Sequence, residues 1–337
     1  MNILRWLLST QLKPSHKQNK NSGFTLIELL VAMLIAFLVI TPLLSFMISV
    51  LNTDGQEQAK ANSEQEIKAA LDYITRDLQQ AIYIYDATGI ACLSGTVDAS
   101  AANTCPNAST TGNQLPSGTD KVPVLVFWKR ELLSQTITIT GTQKDDTFVY
   151  SLVAYYLIKD TNTTWSNAAR IARWEIKDGV PSTAATVAVG ACDGFPTEKY
   201  LPCPDKGFKP FDLSQKGITL QAKMNSWARG GTYDQVPVVL VDFIDQTTIA
   251  QGAPAATCST GFNQVPVAAT TVKTGFYACI NSVGADNRSA AEVYLRGNAQ
   301  ARLIQNDETK VRYAQNQSSY FPSANIKVQG SSFIFTK

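Results

Sequence analysis

A single carboxylate, Glu28, lies near the start of an apolar run that extends to Leu51. Residues 29–51 carry no charge, and a helix of that length spans about 33 Å, enough to cross a bilayer. Residues 1–23, which precede the run, contain lysine and arginine but no acidic residue. A plain membrane anchor has no need of a carboxylate at this position. An interpretation of this apolar run therefore has to account for Glu28.

The surroundings of Glu28 separate three interpretations of the apolar run. A secretory signal peptide ends its apolar stretch with small residues, whereas here the small residue, Gly23, precedes the stretch. A signal anchor accounts for the hydrophobicity but leaves Glu28 unexplained. Residues 23–30 read G-F-T-L-I-E-L-L, and with the basic leader they resemble the prepilin signature of type IV pilins and type II secretion pseudopilins.

This resemblance implies a processing pathway. A prepilin peptidase would cut between Gly23 and Phe24, and the new amine of Phe24 would then be methylated. An amine at a helix N-terminus opposes the helix dipole, whereas a carboxylate in the first turn is favoured by it. We therefore expect Glu28 of one subunit to pair with the Phe24 amine of its neighbour in filament assembly. The alternative is that Glu28 merely lies at headgroup depth, where its cost is small. Both can hold, with Glu28 at the interface before assembly and paired afterwards.

The same resemblance implies four segments. They are a cleaved basic leader at 1–23, a transmembrane or filament-core helix at 24–51, an amphipathic helix at 52–82 and a β-rich head at 83–337. Loss of the leader takes Lys+Arg from 29 to 25 against 27 Asp+Glu, so the net charge changes from +2 to −2. By the positive-inside rule, the leader stays in the cytoplasm and the head lies outside the inner membrane.

The chain after the leader lacks the residues of the commonest catalytic sites. The sole histidine, His16, lies in the leader, which leaves no imidazole for a nucleophile–base pair or a zinc site. The nucleophile-elbow and Walker A patterns are absent. Asp145–Asp146 and residues 160–162 lack EF-hand spacing, and turn chemistry explains them better. We expect no catalytic residue, metal or cofactor, and the acidic balance disfavours a nucleic-acid partner.

The six cysteines indicate disulfides, because an even number of them follows a predicted membrane segment. Many pairings are formally possible. We favour three local couples, each within a loop-like stretch: Cys92–Cys105, Cys192–Cys203 and Cys258–Cys279. Reduced thiols in a cytoplasmic domain are the alternative. Nothing here has C-x-x-C spacing, which disfavours zinc and thioredoxin-type chemistry.

Hydrophobic periodicity predicts an α+β fold. Apolar residues recur at spacings of three and four within 56–82, which indicates an amphipathic helix packed on a sheet. Pro42 should kink or loosen the preceding apolar helix. Runs rich in Val, Ile, Tyr, Phe and Thr predict strands at 122–128, 147–158, 170–177, 237–244, 291–295 and 326–336. The expected fold is a long N-terminal helix packed on an antiparallel β-sheet head, with long loops tied by disulfides.

Two further stretches narrow the resemblance. Residues 71–81, LDYITRDLQQA, resemble the end of this helix in PilW-class minor pilins and J-type secretion pseudopilins. Arg76 and Asp77 are adjacent there, so we expect each to bind a separate loop or strand partner. Residues 291–302, AEVYLRGNAQAR, together with that helix and the cysteine loops, resemble cyanobacterial pseudopilins of hormogonium polysaccharide secretion.

These resemblances imply a non-enzymatic filament subunit, at or near the tip, that supports polysaccharide secretion and gliding motility. Its expected partners are other minor and major pilins or pseudopilins, the prepilin peptidase, the assembly platform and its ATPase, inner-membrane lipid and polysaccharide. A tip adhesin that grips glycans through aromatic side chains is one alternative, although Trp128, Trp165, Trp174 and Trp227 are more typical of a core. DNA uptake is a second alternative, disfavoured by the charge.

Overall fold

A long helix and two antiparallel sheets make up the fold. The computed structural model describes residues 23–96, 105, 113–140, 143–161, 163–216, 219–282, 289–304 and 307–330. The chain divides into two compact units, Met1–Asp54 and Gly55–Lys337, and helix α1 (Leu26–Gln79) belongs in part to each. The expected leader, apart from Gly23, lies outside the described residues.

The elements after α1 alternate short helices with strands. In chain order they are β1 (Ala81–Ile84), α2 (Ala87–Leu93), β2 (Lys121–Thr140), β3 (Gln143–Ile158), β4 (Ala169–Lys177), α3 (Leu220–Asn225), β5 (Val238–Ile244), β6 (Asn263–Val265), β7 (Phe276–Asn281), β8 (Ala290–Arg296), α4 (Gln300–Leu303) and β9 (Ser323–Gln329). The strands form a five-stranded sheet in the order β1-β2-β3-β4-β5 and a four-stranded sheet in the order β6-β7-β8-β9. The described ladders are all antiparallel, so the α+β prediction is confirmed.

The second half of α1 buries one stripe of side chains within the unit that starts at Gly55. The stripe has the spacing of one helix face and consists of Ala59, Ser63, Ile67, Ala70, Leu71, Ile74, Asp77 and Leu78. The helix ends at Gln79, before the expected residue 82. It ends there because Ala81–Ile84 pairs with β2, which buries all four of its side chains.

Both faces of the five-stranded sheet are covered, which explains why β3 is apolar on both sides. On the face toward α1, the ring of Tyr155 stacks with that of Phe127 at 6.3 Å. On the opposite face, the indole of Trp128 meets the rings of Phe208 and Trp227 edge-on at 6.0 and 5.5 Å. The loops after β4 therefore form the second cover of this sheet.

The two sheets share one apolar core and are joined through the end of β8. The backbone N–H of Asp245 donates to the carbonyl of Arg296 at 2.9 Å, and that of Asn298 donates to the carbonyl of Phe243 at 2.7 Å. Gly297 lies against α1, because a Cβ there would be 2.5 Å from Cδ1 of Ile67. A larger residue would push the helix away from this junction.

Three disulfides tie the loops. They join Cys92 to Cys105, Cys192 to Cys203 and Cys258 to Cys279, with Cα–Cα distances of 5.5, 5.5 and 5.6 Å. The longest of these links spans 21 residues. Each bridge therefore closes a local loop rather than fastening distant parts of the chain.

Several strand predictions were incomplete. Strands β1, β6 and β7 were not predicted, and β2 extends to Thr140 instead of residue 128. The extension pairs with the start of β3 across a bulge at Gln135, whose φ is 51° and whose N–H donates to Asp146 Oδ1 at 2.8 Å. Strand β9 begins three residues before the expected 326 and ends at Gln329. Residues 331–336, also expected to be strand, lie outside the described chain.

A buried group of charges fixes α1 to the five-stranded sheet. Asp77 Oδ2 accepts from Arg173 Nε and from the Tyr155 hydroxyl, both at 2.7 Å, while Asp77 Oδ1 lies 3.2 Å from Lys129 Nζ. Glu175 completes the group, at 2.9 Å from both Lys129 and Arg173. Asp77 therefore binds strand partners, as expected from the sequence. We call Asp77, Lys129, Tyr155, Arg173 and Glu175 the charge cluster.

Pairing within the charge cluster outweighs the cost of burial. Burial by itself would raise the pKa of Asp77, but its hydrogen bond to Arg173 and the charges of Arg173 and Lys129 hold that pKa below its ordinary value. Burial likewise opposes ionisation of Glu175, and the same two cations lower its pKa. Both carboxylates are thus stabilised in their ionised form.

Acid should weaken the attachment of α1. Because the folded-state pKa values of Asp77 and Glu175 are depressed, their contribution is complete above the unfolded pKa of about 4 and is lost as pH falls through the folded values. Asp77→Asn should lower the free energy of unfolding at neutral pH by about 3 kcal/mol, since two buried cations lose a partner. It should also flatten the acid dependence, as measured by thermal unfolding of the full chain in detergent from pH 7 to pH 3.

The matched control for this experiment is Asp193→Asn, which removes an exposed ion pair with Lys206. It should leave the unfolding midpoint almost unchanged, because exposed pairs contribute little. Equal effects of the two substitutions would contradict the structural role of the charge cluster.

Candidate assembly site

The first turn of α1 is set by Thr25. The Thr25 hydroxyl accepts from the backbone N–H of Glu28 at 3.3 Å, and its carbonyl accepts from Leu29 N–H at 3.1 Å. Such capping satisfies donors that a helix start leaves free. The helix therefore begins at Leu26, which places Glu28 in the first turn, where the helix dipole favours a negative charge.

The apolar side chains of the N-terminal unit are uncovered. The large apolar residues from Leu26 to Leu51 are between 46% and 90% exposed. Helix α1 contains a stretch long and apolar enough to cross a membrane, and none of that stretch is buried. The helix also continues through Pro42, next to which Thr41 Oγ1 donates to the Phe37 carbonyl at 2.8 Å. A surface of this kind needs lipid or other apolar helices around it.

Glu28 is exposed on this surface and forms no ion pair within the described part of the chain. A carboxylate among apolar side chains is costly once water is removed, unless a cation or hydrogen-bond donor meets it. In the described part of the chain, the backbone N–H of Glu28 donates to the Thr25 hydroxyl, and its carboxylate forms no ion pair.

The residues expected to form the cleavage site lie just before the helix. Gly23, Phe24 and Thr25 precede its first residue, and Phe24 is 77% exposed. A Cβ added at Gly23 would meet no atom within 4 Å. Substitution of Gly23 would therefore change the side chain that a peptidase meets just before the cleavage site, without a clash in the described fold.

Comparison with protein families bears on this N-terminal segment. Residues 18–44 match the family model of the prokaryotic N-terminal methylation motif. The matched range contains Gly23, Phe24 and Glu28. It supports a pilin-like or pseudopilin subunit that is processed by a prepilin peptidase and associates with other pilins. No curated protein and no solved structure matches the chain at a significant level.

The methylation motif and the apolar helix together fit a pilin anchored in the inner membrane with its head in the periplasm. A motif of this type also suggests a structural subunit rather than an enzyme. The described residues contain no group of three or more His, Cys, Asp or Glu side chains placed to hold a metal ion.

The acidic pairs considered for calcium make local contacts in the structure. Asp145 Oδ1 accepts from the N–H of Asp146, and Asp146 supports the bulge at Gln135. Asp160 forms a bidentate pair with Arg170 at 2.6 and 2.7 Å. Residue 162 lies outside the described residues. The turn prediction was wrong for Asp145 and Asp146, which lie within β3, whereas Asp160 follows the end of that strand.

Three of the four tryptophans named as a glycan surface lie in the core. Trp128, Trp174 and Trp227 are at most 4% exposed, as their size predicted. Trp165 differs, since it is 41% exposed on the loop between β3 and β4. Any aromatic contact with an external molecule in this region therefore centres on Trp165.

Sequence reasoning identified Asp77 but missed its strand partners. Arg173, Glu175 and Lys177 alternate along β4 with buried apolar residues. Charges at every second position ordinarily indicate a solvated face. Here that face is covered by α1. The sequence feature that could have indicated the cluster is Asp77, because an acidic residue next to the apolar stripe of the helix needs cationic partners on the sheet.

The expectation for Arg76 was wrong within the described part of the chain. Its side chain is exposed, and it forms no ion pair there with a loop or a strand. Arg76 and Asp77 are consecutive and point to different sides of α1, so only one of them can face the sheet. The packing of the apolar stripe selects Asp77.

Substitution at Gly23 tests processing directly. Gly23→Val should leave the full-length precursor in the membrane, because a branched side chain would occupy the position before the cut, while the head stays folded. Intact-mass measurement should show the wild-type chain beginning at a methylated Phe24 and the variant beginning at residue 1. Gly55→Ala, where an added Cβ would likewise meet no atom within 4 Å, should be processed normally. Cleavage of Gly23→Val at the wild-type rate would contradict the assignment.

Proposed function

We propose that this chain is a minor pilin or pseudopilin that is cut between Gly23 and Phe24, methylated at Phe24 and assembled into a type IV pilus-like or type II secretion-like filament. The observation that carries the proposal is the methylation motif at 18–44, which overlaps the start of a helix whose apolar surface is uncovered from Leu26 to Leu51. The segments proposed for these steps are the leader 1–23, the core segment 24–51, the amphipathic part of α1 from residue 52 to Gln79, and the head that follows it.

Glu28 supplies the assembly chemistry in this proposal. Its carboxylate has no ion-pair partner within the described chain, and cleavage would create an amine at Phe24 in each incoming subunit. In a bundle of α1 helices, pairing of the two charges removes the burial cost of both. Neighbouring helices would also cover the apolar side chains that are exposed in the single subunit. One contact thus favours assembly and selects the axial register.

The large head favours a place at or near the filament tip. A head of this size, with loops closed by three disulfides, is harder to repeat along a tightly packed shaft than to carry at one end. The partners in this proposal are other minor and major pilins, the prepilin peptidase, the platform protein with its ATPase, and membrane lipid.

The proposed process is polysaccharide secretion with gliding motility, of the kind found in hormogonia of filamentous cyanobacteria. Its support is the sequence likeness of residues 291–302 and of the helix end at 71–81. Glycan adhesion at the tip is the second candidate, supported by the exposed Trp165. DNA uptake is a weaker candidate, because the chain without its leader is acidic.

Removal of the Glu28 carboxylate tests the assembly proposal. Glu28→Ala should insert in the membrane and be cleaved, but its recovery in sheared filaments should fall at least about tenfold, since the Phe24 amine of a neighbour would remain unpaired. Glu64→Ala, in the exposed part of the same helix, is the control and should assemble normally. Incorporation of Glu28→Ala at the wild-type level would contradict the pairing.

Deletion of the gene separates the candidate processes. The proposal predicts loss of secreted polysaccharide and of gliding, with DNA uptake unchanged, and restoration by the wild-type chain but not by Glu28→Ala. The assays are surface polysaccharide staining, colony spreading and transformation frequency, scored in one strain background. Loss of transformation alone would favour DNA uptake instead.

A further inference from the structure

A cavity of about 380 Å³ opens beside Trp165. The described residues that line it come from the loop between β3 and β4, the end of β5 and the segment around and after α4. Its floor is a second apolar cluster, separate from the main core, formed by Ala168, Ala301 and Val311 with Phe243 and Ile304 packed against them. We call this space the Trp165 cavity.

The polar side chains around the Trp165 cavity offer mainly hydrogen-bond acceptors. Asp242, Gln246, Asp307 and Glu308 lie along its wall. Gln246 is only 7% exposed, and its Oε1 accepts no hydrogen bond from any described residue. A buried acceptor without a donor costs free energy, so this atom favours a ligand or ordered solvent that brings a donor.

The loop that carries Trp165 is firmly held. Both the backbone N–H and the hydroxyl of Ser166 donate to the carboxylate of Asp242, at 2.9 and 2.8 Å, and the N–H of Phe243 donates to the same group at 2.8 Å. Phe243 has a φ of 56°, a left-handed conformation that is rare for a bulky residue. Conformations of this kind persist where the surroundings enforce them and are concentrated at functional sites.

Lys159, which pairs with Glu308, already serves the protein itself. Lys159 Nζ lies 2.8 Å from Glu308 and 2.6 Å from the Asn167 carbonyl. Its hydrogen bond to Glu308 lowers the pKa of that carboxyl, and the charge of Arg312 adds a smaller effect from farther away. Glu308 is therefore ionised at neutral pH and keeps Lys159 occupied.

Two other cations near the lining form ion pairs, although Nε of Arg302 has no hydrogen-bond partner among the described residues. Lys310 lies 3.1 Å from Asp307, while Arg302 pairs with Glu66 and lies over the ring of Phe243. An anionic ligand would therefore meet three carboxylates, and no lysine or arginine is among the described residues that line the cavity. A neutral ligand rich in donors fits better.

We propose that the Trp165 cavity binds a neutral carbohydrate. A sugar ring has an apolar C–H face that can pack on an indole, and hydroxyl groups that can donate to the acceptors along the wall. The apolar floor and the exposed ring of Trp165 match the first property. Gln246 Oε1, which accepts no hydrogen bond from a described residue, matches the second. Such a site would provide a place on the head where the proposed contact with polysaccharide occurs. Only the biological role of the site rests on the proposed function in polysaccharide secretion.

Binding can be measured on the full-length protein in a detergent without a sugar headgroup. The probes are the neutral hexasaccharides maltohexaose and cellohexaose and, as the anionic comparison, hexagalacturonic acid, each titrated by calorimetry. We expect saturable binding of a neutral probe and none of the uronate. Trp165→Ala should weaken binding about tenfold or more, the loss typical of an aromatic hot spot.

Two further variants and one control distinguish a loss of binding from a loss of folding. Trp165→Phe keeps a smaller ring and should bind with intermediate affinity, and Gln246→Leu should weaken binding by removing the acceptor. Phe148→Ala removes a half-exposed aromatic ring on the β2–β3 hairpin and should bind as the wild type does. Each variant should unfold at the wild-type temperature, measured in the same detergent.

The proposal is overturned if no neutral probe binds, if the uronate binds more tightly, or if Trp165→Ala and Phe148→Ala have equal effects. Filament incorporation of Trp165→Ala is scored separately and should be normal. If the Glu28→Ala variant binds the neutral probe normally but fails to assemble, the binding proposal for the Trp165 cavity stands. If the wild-type chain assembles normally but binds no neutral probe, the binding proposal fails and the filament proposal stands.

Discussion

The attachment of α1 to its sheet depends on Asp77. A carboxylate placed among buried apolar side chains is destabilising by itself, and here two cations, a tyrosine hydroxyl and a second carboxylate form one network around it. Every other member of the charge cluster lies on β2, β3 or β4, so one helical residue fixes three strands against the same helix face. The ion pairs add a directional contact to the packing of the apolar stripe, because they place Asp77 opposite Lys129 and Arg173.

Two acidic residues of α1, Glu28 and Asp77, show opposite solutions to the same problem. Asp77 has its partners within the chain, and its pKa is depressed by them. Glu28 has a backbone cap and no ion pair in the described unit, although its surroundings are apolar. The first arrangement completes a fold. The second leaves an exposed carboxylate without an ion pair in the described part of the chain, and the proposed filament pairing would use it.

Sequence patterns predicted the elements whose environment is simple. Strand β4 was predicted within one residue, because its alternation is regular, and the buried stripe of α1 has helical spacing throughout. Ala81 and Ile82 fitted that same spacing, so pattern alone extended the helix into β1. Strand β7 was missed, since it is short and carries Cys279 within a stretch rich in turn residues. The Trp165 cavity was beyond prediction, because its walls come from three separate segments that only the folded sheet brings together.

The positions of the disulfides indicate which contacts of the head would resist a mechanical load and which would not. A subunit pulled through α1 would transmit force first to the charge cluster and then to β1, which pairs with β2. Each disulfide closes a local loop, and the longest of these spans 21 residues. The bridges therefore shorten the length to which the loops can extend, but they do not join the helix to the sheet. Resistance to shear would therefore reside in the ion pairs and the ladder between β1 and β2. The cystines would limit only how far the chain extends once that ladder had opened.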